Sequence, residues 1–256
     1  MSVLRHCLRP IAATQAVRTE ALLLDATWAL SPDDITDGYL SGTTASVDTD
    51  AIKAIPVRDR TPTAVQPIFE RGGVRTDREI AVYDRCGLFS APWVWWMLLR
   101  SGQPARVVEG WAEEGPLMLE PGDFRRTGES LVQEATIADV VESDAQIVDA
   151  RGPGRFAATE PEPREGVRGG HIPGSLNLHY KLLKSGRALH TDDDLRALFQ
   201  ERGLDLAKPI ITTCGSGVTA CLLAHALLRA GATDVRVYTG SWAEYGASDY
   251  PVETGA

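Results

Sequence analysis

The sequence predicts an α/β protein of two tandem domains, each with a mainly parallel sheet flanked by helices. Short apolar runs alternate with helical stretches along the chain, which is the pattern of a parallel α/β sheet. The second half also repeats the first: residues 22–26 (LLLDA) match residues 146–150 (QIVDA), and residues 110–113 (GWAE) match residues 240–244 (GSWAE). Matches in the same order and at nearly the same spacing indicate a duplicated domain.

The predicted domain boundaries follow from this repeat. We place the first domain at residues 1–115, a linker at residues 116–134 and the second domain at residues 135–256. Proline and glycine interrupt regular structure within the linker, most clearly at residues 121–123 (PGD). A chain of 256 residues is long enough for two domains of this size.

The composition excludes several classes of function. Hydrophobic residues make up 43% of the chain and charged residues 24%, as in an ordinary globular protein. The net charge of −9 argues against a general nucleic-acid binder. No apolar run approaches the roughly 20 residues of a membrane helix, and no secretory signal is recognisable. The four cysteines have neither disulfide-framework nor zinc spacing. We therefore expect a cytoplasmic protein without a metal and without nucleic-acid or membrane partners.

Residues 214–219 (CGSGVT) carry the clearest functional signal. Cys214 follows an apolar run with strand character and precedes a helical stretch, and the ends of strands in an open α/β sheet are the usual place for catalytic groups. Backbone amides and the helix dipole at such a position favour an anion, so we expect the Cys214 thiol to ionise easily. Gly215 and Gly217 allow the backbone to approach a ligand closely.

The corresponding loop of the first domain lacks the thiol. Alignment of residues 80–84 with residues 210–214 places Asp84 opposite Cys214. A carboxylate cannot carry sulfur in the way that a thiol does. We therefore predict that the first domain is catalytically silent and serves as a scaffold that covers the active domain.

Several ordered motifs resemble those of the tandem-domain rhodanese family, and within it the 3-mercaptopyruvate sulfurtransferases. The resemblance covers nearly the whole chain and implies two rhodanese-like domains, a persulfide on the loop cysteine and no cofactor. The motifs that carry it are residues 149–151 (DAR), 154–156 (GRF), 161–164 (PEPR), 170–174 (GHIPG), 214–220 (CGSGVTA) and 240–242 (GSW).

The resemblance also implies which residues bind the substrate. In that family, the arginines that match Arg155 and Arg164 hold the carboxylate and carbonyl oxygens of the sulfur donor. Arginine suits this task because its planar fork binds a carboxylate bidentately. We assign catalysis to Cys214 and Ser216, and substrate binding to Arg155, Arg164, Gly215, Gly217, Val218 and Thr219.

A structural alternative exists for the two arginines, namely ion pairing with Glu160, Glu162 or Glu165. These carboxylates lie close in sequence, and surface pairs of this kind contribute little to stability. Arg151 has two interpretations, a structural salt bridge or a place at the rim of the pocket. The sequence leaves both questions open.

The expected reaction is covalent sulfur transfer in two steps. The Cys214 thiolate attacks the sulfur of 3-mercaptopyruvate, pyruvate leaves as its enolate, and the amides of residues 215–219 stabilise the persulfide. A thiol or cyanide then removes the outer sulfur, which predicts ping-pong kinetics. Thioredoxin, glutathione and other protein thiols all remain open as acceptors.

Three alternative functions are weighed against this one. Thiosulfate is the alternative donor, but its specific relatives usually carry basic residues in the loop, whereas Gly215 and Ser216 are neutral. A cysteine phosphatase of related fold needs a histidine before the cysteine and an arginine six positions after it, where this chain has Thr213 and Ala220. The third alternative is a sulfur carrier or binding module without catalysis.

One feature of the mercaptopyruvate enzymes is missing. Their first domain supplies an aspartate and a histidine that have been proposed to form a relay with the loop serine. Asp48 or Asp50 matches the aspartate, but the chain has no histidine between His6 and His171. We therefore expect Ser216 to act through its hydroxyl alone, or proton transfer to use water.

Overall fold

The structure, a computed structural model, describes residues 2–36, 38–126 and 128–255. The chain divides into two compact units, Met1–Val132 with Gly186–Ala188 and Gln133–Ser185 with Leu189–Ala256. Each unit contains a five-stranded sheet in which all neighbouring strands run parallel. Helices flank both sheets, so the predicted fold class is confirmed.

The sheet of the first unit has the strand order β1-β6-β5-β2-β4, and a separate antiparallel pair joins β3 to β7. Its central strand β5 is buried along its whole length. The elements of this unit are α1 (Ser2–Cys7), β1 (Ile11–Ala12), α2 (Ala13–Ala16), β2 (Leu22–Asp25), β3 (Tyr39–Leu40), β4 (Thr43–Ser46), α3 (Thr49–Ala54), α4 (Pro62–Arg71), β5 (Ile80–Tyr83), α5 (Ala91–Arg100), β6 (Ala105–Glu109) and β7 (Glu114–Gly115).

The sheet of the second unit has the order β10-β9-β13-β14-β8, which places β13 in the centre as β5 is in the first. A short two-stranded sheet pairs β11 with β12. The elements are β8 (Gln133–Ala135), α6 (Ile137–Glu142), β9 (Gln146–Asp149), α7 (Pro153–Phe156), β10 (Leu176–Asn177), β11 (Lys184–Ser185), β12 (Ala188–Leu189), α8 (Asp192–Glu201), β13 (Ile210–Thr213), α9 (Val218–Ala230), β14 (Val235–Tyr238) and α10 (Ser241–Tyr245).

Sequence patterns explain the elements nearest the cysteine loop. Strand β13 is buried throughout, as expected for a parallel strand covered on both faces. Helix α9 is almost wholly buried and ends at Gly231, whose φ of 106° is a left-handed cap that favours glycine. Helix α6 begins with a capping box between Thr136 and Asp139. The central strand and α9 together fix where the loop between them lies.

The segment predicted as a linker, residues 116–134, lies mostly within the first unit, which extends to Val132. Its Phe124 is fully buried and packs edge-on against Phe69, with ring centroids 5.1 Å apart. The N–H of Leu131 also donates to the carbonyl of Leu99. The glycines and prolines that suggested a linker therefore interrupt secondary structure without separating the segment from the core. Within the described residues, no helix has the length and apolar character needed to cross a membrane.

Candidate active site

Cys214 is the first residue after β13, at the carboxyl end of the central strand of the second sheet. Residues 214–217 form the turn that leads into α9, which begins at Val218. The side chain is 2% exposed, so the thiol lies in a shielded turn. This is the position that sequence reasoning predicted for a catalytic group on an open α/β sheet.

Gly217 aims its backbone N–H at the thiol. The amide nitrogen lies 3.2 Å from Cys214 Sγ. Gly217 is the N-cap of α9 and has φ 86° and ψ −9°, a left-handed conformation that favours glycine. A Cβ at this position would also lie 2.9 Å from the carbonyl oxygen of Thr239. Both the conformation and the lack of space therefore require glycine at residue 217.

Ser241 holds the other side of the cysteine. Its Oγ accepts the N–H of Cys214 at 3.2 Å, donates to the carbonyl of Tyr238 at 2.8 Å, and lies 4.0 Å from Cys214 Sγ. The backbone of Ser241 is left-handed, with φ 52°. The next two amides, of Trp242 and Ala243, donate to the loop carbonyls of Cys214 and Gly215. The start of α10 thus fixes the cysteine loop.

The remaining predicted loop residues lie at the start of α9. Val218 and Thr219 are buried in its first turn, where backbone amides lack partners within the helix and the dipole is positive. Ser216 is half-buried beside them. The backbone amide of Gly217 donates to Sγ. The roles assigned to Ser216, Val218 and Thr219 stay predictions.

Arg155 and Arg164 face the same loop. A Cβ on Gly215 would lie 3.2 Å from Arg155 Nη2 and 3.5 Å from Arg164 Nη1. Arg155 belongs to the short helix α7, and Arg164 follows it in an irregular segment. Their side chains are 27% and 35% exposed, so both are accessible to a ligand. The structure therefore brings the two predicted donor-binding arginines to the residue next to Cys214.

Glu162 joins the two guanidinium groups. Its Oε2 accepts from Arg155 Nη2 at 2.6 Å, and its Oε1 accepts from Arg164 Nη1 at 2.9 Å. Ion pairing was the alternative to substrate binding for the two arginines. In the structure both arginines pair with Glu162 and also face the cysteine loop, so the two interpretations are compatible. From the sequence, Glu162 was predicted only as one of three alternative ion-pair partners of the arginines. One feature of the sequence could have indicated this role. Glu162 lies two residues before Arg164 and seven residues after Arg155, close enough in the chain to pair with both.

A second buried ion pair stabilises the neighbouring strand end. Arg151 donates from Nε to both carboxylate oxygens of Asp149 and from Nη2 to Oδ2 at 2.7 Å, with both side chains almost fully buried. The guanidinium also lies 4.4 Å above the ring of Trp242. Of the two interpretations left open for Arg151, the structure shows the salt bridge. Because Arg151 Nη2 also donates to the carbonyl of Gly170 at 2.8 Å, the pair connects the end of β9 to the segment around Gly170.

Asp84 occupies the matching position in the first unit, directly after β5. Its Oδ1 accepts the N–H groups of Cys86 and Leu88, and its Oδ2 accepts those of Ser90 and Ala91, all at 2.8–3.1 Å. Ala91 begins α5, so the carboxylate lies at a helix N-terminus. The amides that would receive an anion in this loop are therefore already occupied by a carboxylate of the chain.

The other cysteines have structural surroundings. Cys86 donates to the carbonyl of Trp28 at 3.2 Å, and burial together with the nearby Asp84 carboxylate raises its pKa to about 12. Cys221 is buried in α9 and donates to the carbonyl of Gly217 at 3.1 Å. Burial raises the pKa of the Cys7 thiol as well. Within the described residues, no three His, Cys, Asp or Glu side chains are grouped as a metal site.

The amino-acid sequence is similar to those of known proteins of one family. Residues 134–248 match the Rhodanese-like domain. The chain is 42% identical over 199 residues to the 3-mercaptopyruvate sulfurtransferase of Escherichia coli (strain K12), covering 71% of this chain and 70% of that protein. It is 38% identical over 193 residues to the Homo sapiens 3-mercaptopyruvate sulfurtransferase, covering 68% and 65%. It is also 38% identical over 191 residues to the thiosulfate sulfurtransferase of Cricetulus griseus, covering 68% and 64%.

Solved structures show the same likeness. SseA from Escherichia coli, a 3-mercaptopyruvate sulfotransferase with the "Rhodanese" fold, superposes with a TM-score of 0.75 at 31% identity, covering 91% of this chain and 98% of that one. The Tum1 protein from Saccharomyces cerevisiae superposes with a TM-score of 0.80 at 25% identity, covering 96% and 97%. The likeness therefore extends over both units of the chain.

Proposed function

Because the chain belongs to the family of the 3-mercaptopyruvate sulfurtransferases, we propose that it transfers a sulfane sulfur from 3-mercaptopyruvate through a persulfide on Cys214 to a thiol or cyanide. Pyruvate is the second product. One structural observation supports this proposal most strongly. The Cys214 sulfur accepts a hydrogen bond from the Gly217 amide, and Gly215, the residue after Cys214, lies against Arg155 and Arg164. The thiol therefore lies beside two guanidinium groups whose charge suits the carboxylate of a 2-oxo acid.

Donor binding is the task of the two arginines. Each guanidinium group has five N–H donors, and Glu162 uses an Nη of each. The Arg155 and Arg164 side chains are 27% and 35% exposed, so N–H groups that Glu162 does not use remain for a bound donor. We assign the carboxylate and carbonyl oxygens of 3-mercaptopyruvate to Arg155 and Arg164. Because Glu162 holds both groups in place beforehand, little ordering is left for the moment of binding.

Sulfur transfer then takes place at Cys214. Its thiolate attacks the donor sulfur, so that an S–S bond forms and the C–S bond breaks with its electron pair on carbon. The leaving group is the enolate of pyruvate. It takes the proton that the donor thiol brought, by way of the Ser216 hydroxyl or a water molecule, and the persulfide remains as an anion. No external oxidant is needed.

The loop stabilises the persulfide until an acceptor arrives. The Gly217 amide and the positive N-terminus of α9 favour a negative charge at this position. An acceptor thiolate attacks the outer sulfur, forms its own persulfide and releases the Cys214 thiolate. We propose a small thiol such as glutathione, or a protein thiol such as thioredoxin, as that acceptor, in the cytoplasm.

The first unit takes no part in sulfur chemistry in this scheme. Asp84 stands at the end of β5, where the second unit has its cysteine, and its carboxylate already holds four backbone amides. Cys86 lies nearby but remains a thiol because its pKa is raised to about 12. We therefore propose one persulfide for each chain.

Thiosulfate is the second candidate donor. The likeness to proteins named thiosulfate sulfurtransferase supports it, as does one Arabidopsis thaliana relative whose name includes both donors. The loop favours mercaptopyruvate, because Gly215 and Ser216 bring no positive charge for a dianion. A comparison of kcat/KM for the two donors decides between them.

Intact-protein mass spectrometry tests the persulfide. Incubation with 3-mercaptopyruvate without an acceptor is expected to add the mass of one sulfur atom, and cyanide is expected to remove it. Cys214→Ser is expected to gain nothing, whereas the matched control Cys86→Ser gains the same sulfur as the wild type. Sulfur retained on Cys214→Ser would refute the assignment.

A further inference from the structure

Glu162 lies between the two donor-binding arginines and is more buried than either. One carboxylate oxygen bonds Arg155 and the other bonds Arg164, at 2.6 and 2.9 Å. The Glu162 side chain is 3% exposed, against 27% and 35% for the arginines. The negative charge is thus shielded from water, while both positive groups remain open to a ligand.

The three side chains carry one excess positive charge. Arginine stays protonated throughout the physiological pH range, and a carboxylate that accepts bonds from two guanidinium groups carries its negative charge. Two positive charges and one negative charge leave +1. Because Glu162 is buried, water and salt screen its charge less than that of a surface carboxylate. A ligand at Arg155 and Arg164 therefore also experiences the repulsion of Glu162.

We propose that Glu162 determines the charge of the sulfur donor that the site accepts, an inference that rests on the sulfur-transfer function proposed above. A cluster with a charge of +1 is neutralised by the single carboxylate of a 2-oxo acid. Thiosulfate brings two negative charges to the same cluster, so it experiences about twice the repulsion from the Glu162 carboxylate that a monoanion experiences. Glu162 thereby selects a monoanionic donor and disfavours a dianion. The neutral Gly215 and Ser216 act in the same direction.

Glu162→Gln tests this inference, because it keeps the shape of the side chain and removes its charge. The measured quantity is the ratio of kcat/KM for 3-mercaptopyruvate to kcat/KM for thiosulfate, with cyanide as the acceptor. We expect the ratio to fall by about tenfold or more in Glu162→Gln, and to fall further at low salt. Glu165→Gln is the matched control, since Glu165 is an exposed carboxylate of the same segment. Its ratio is expected to stay within about twofold of the wild-type ratio.

Arg164→Gln lowers the net charge of the cluster, whereas Glu162→Gln raises it. It therefore provides a second test if Glu162→Gln does not fold. The cluster then has no net charge, so both donors are expected to weaken and thiosulfate to weaken more, which raises the ratio. An unchanged ratio in either folded variant would show that the net charge of the cluster does not select the donor and would overturn the inference. Failure of the wild-type Cys214 to gain sulfur from either donor would instead refute the proposed function.

Discussion

Gly217 donates its backbone N–H to the sulfur of Cys214 across 3.2 Å, and it does so from a left-handed conformation. The amide can point at the sulfur because the chain turns sharply from β13 into α9 within residues 214–217. A side chain at Gly217 would meet the carbonyl of Thr239. The hydrogen bond to the Cys214 sulfur and the requirement for glycine at residue 217 therefore have the same origin.

Replacement of this glycine is expected to harm both stability and sulfur transfer. Gly217→Ala adds a Cβ in the left-handed region, which costs about 1–2 kcal/mol, and relief of the contact with Thr239 moves the amide away from Cys214. Gly203→Ala is the control, because Gly203 also has a positive φ but open space around a Cβ. Urea unfolding is expected to show a loss in both variants, whereas kcat falls only in Gly217→Ala. Equal kcat in the two variants would contradict a role for the Gly217 amide.

Removal of a donor-binding arginine is expected to raise KM for 3-mercaptopyruvate. Arg155→Ala and Arg164→Ala each remove charge-assisted bonds to the donor and leave Glu162 with one partner, so kcat/KM is expected to fall by about 10²-fold. Arg58→Ala is the control, since the Arg58 side chain is 76% exposed. Steady-state kinetics with unchanged thermal unfolding would separate binding from folding. Wild-type kinetics in both arginine variants would place the donor elsewhere.

Asp84 is expected to contribute to stability without contributing to catalysis. Asp84→Asn replaces a carboxylate that accepts four backbone N–H groups, and loss of the charged acceptor is expected to cost about 2–3 kcal/mol. Asp59→Asn, in which an exposed side chain is changed, is expected to cost less than about 0.5 kcal/mol. Denaturant unfolding measures both, and the kcat of the folded Asp84→Asn protein is expected to match the wild type. A stability unchanged from the wild type would refute the structural role of the carboxylate.

Cys86 is expected to resist alkylation until the pH is strongly alkaline. Burial and the Asp84 carboxylate raise its pKa to about 12, so the thiolate fraction rises about tenfold for each pH unit from neutral pH up to that value. Iodoacetamide labelling of the Cys86 peptide, followed by mass spectrometry between pH 7 and pH 10, measures this slope. In Asp84→Asn the carboxylate is absent, so labelling is expected at lower pH. Rapid labelling of Cys86 in the wild type near pH 7 would contradict the assigned environment.

The parts of the site that were predicted from sequence depend on local pattern or on the family motifs. An apolar run, a glycine-bearing turn and a helical stretch place Cys214 at a strand end, and this is where the structure has it. The repeat likewise predicts Asp84 at the equivalent position. The motifs around Arg155 and Arg164 identified the arginines, and their approach to Gly215 followed only from the fold.

Tertiary packing explains what the sequence did not reveal. Glu162 is acidic and flanked by prolines, which is typical of an exposed loop, whereas in the structure its side chain is 3% exposed and pairs with both arginines. Ser241 contacts the cysteine only because α10 begins beside the end of β13. Residues 116–134 were predicted as a linker because proline and glycine interrupt regular structure there, and the structure packs the ring of Phe124 against Phe69 within the first unit.

The carboxylate of Asp84 has a consequence for the behaviour of the chain under oxidative stress. Peroxide converts thiolates to sulfenic and then to irreversible sulfinic acids, but it leaves carboxylates unchanged. The loop of the first unit is therefore anchored by an anion that redox conditions cannot alter, even with Cys86 beside it as a protonated thiol. Oxidation of Cys214 leaves that anchor intact, so we expect the oxidised chain to keep the fold of its first unit.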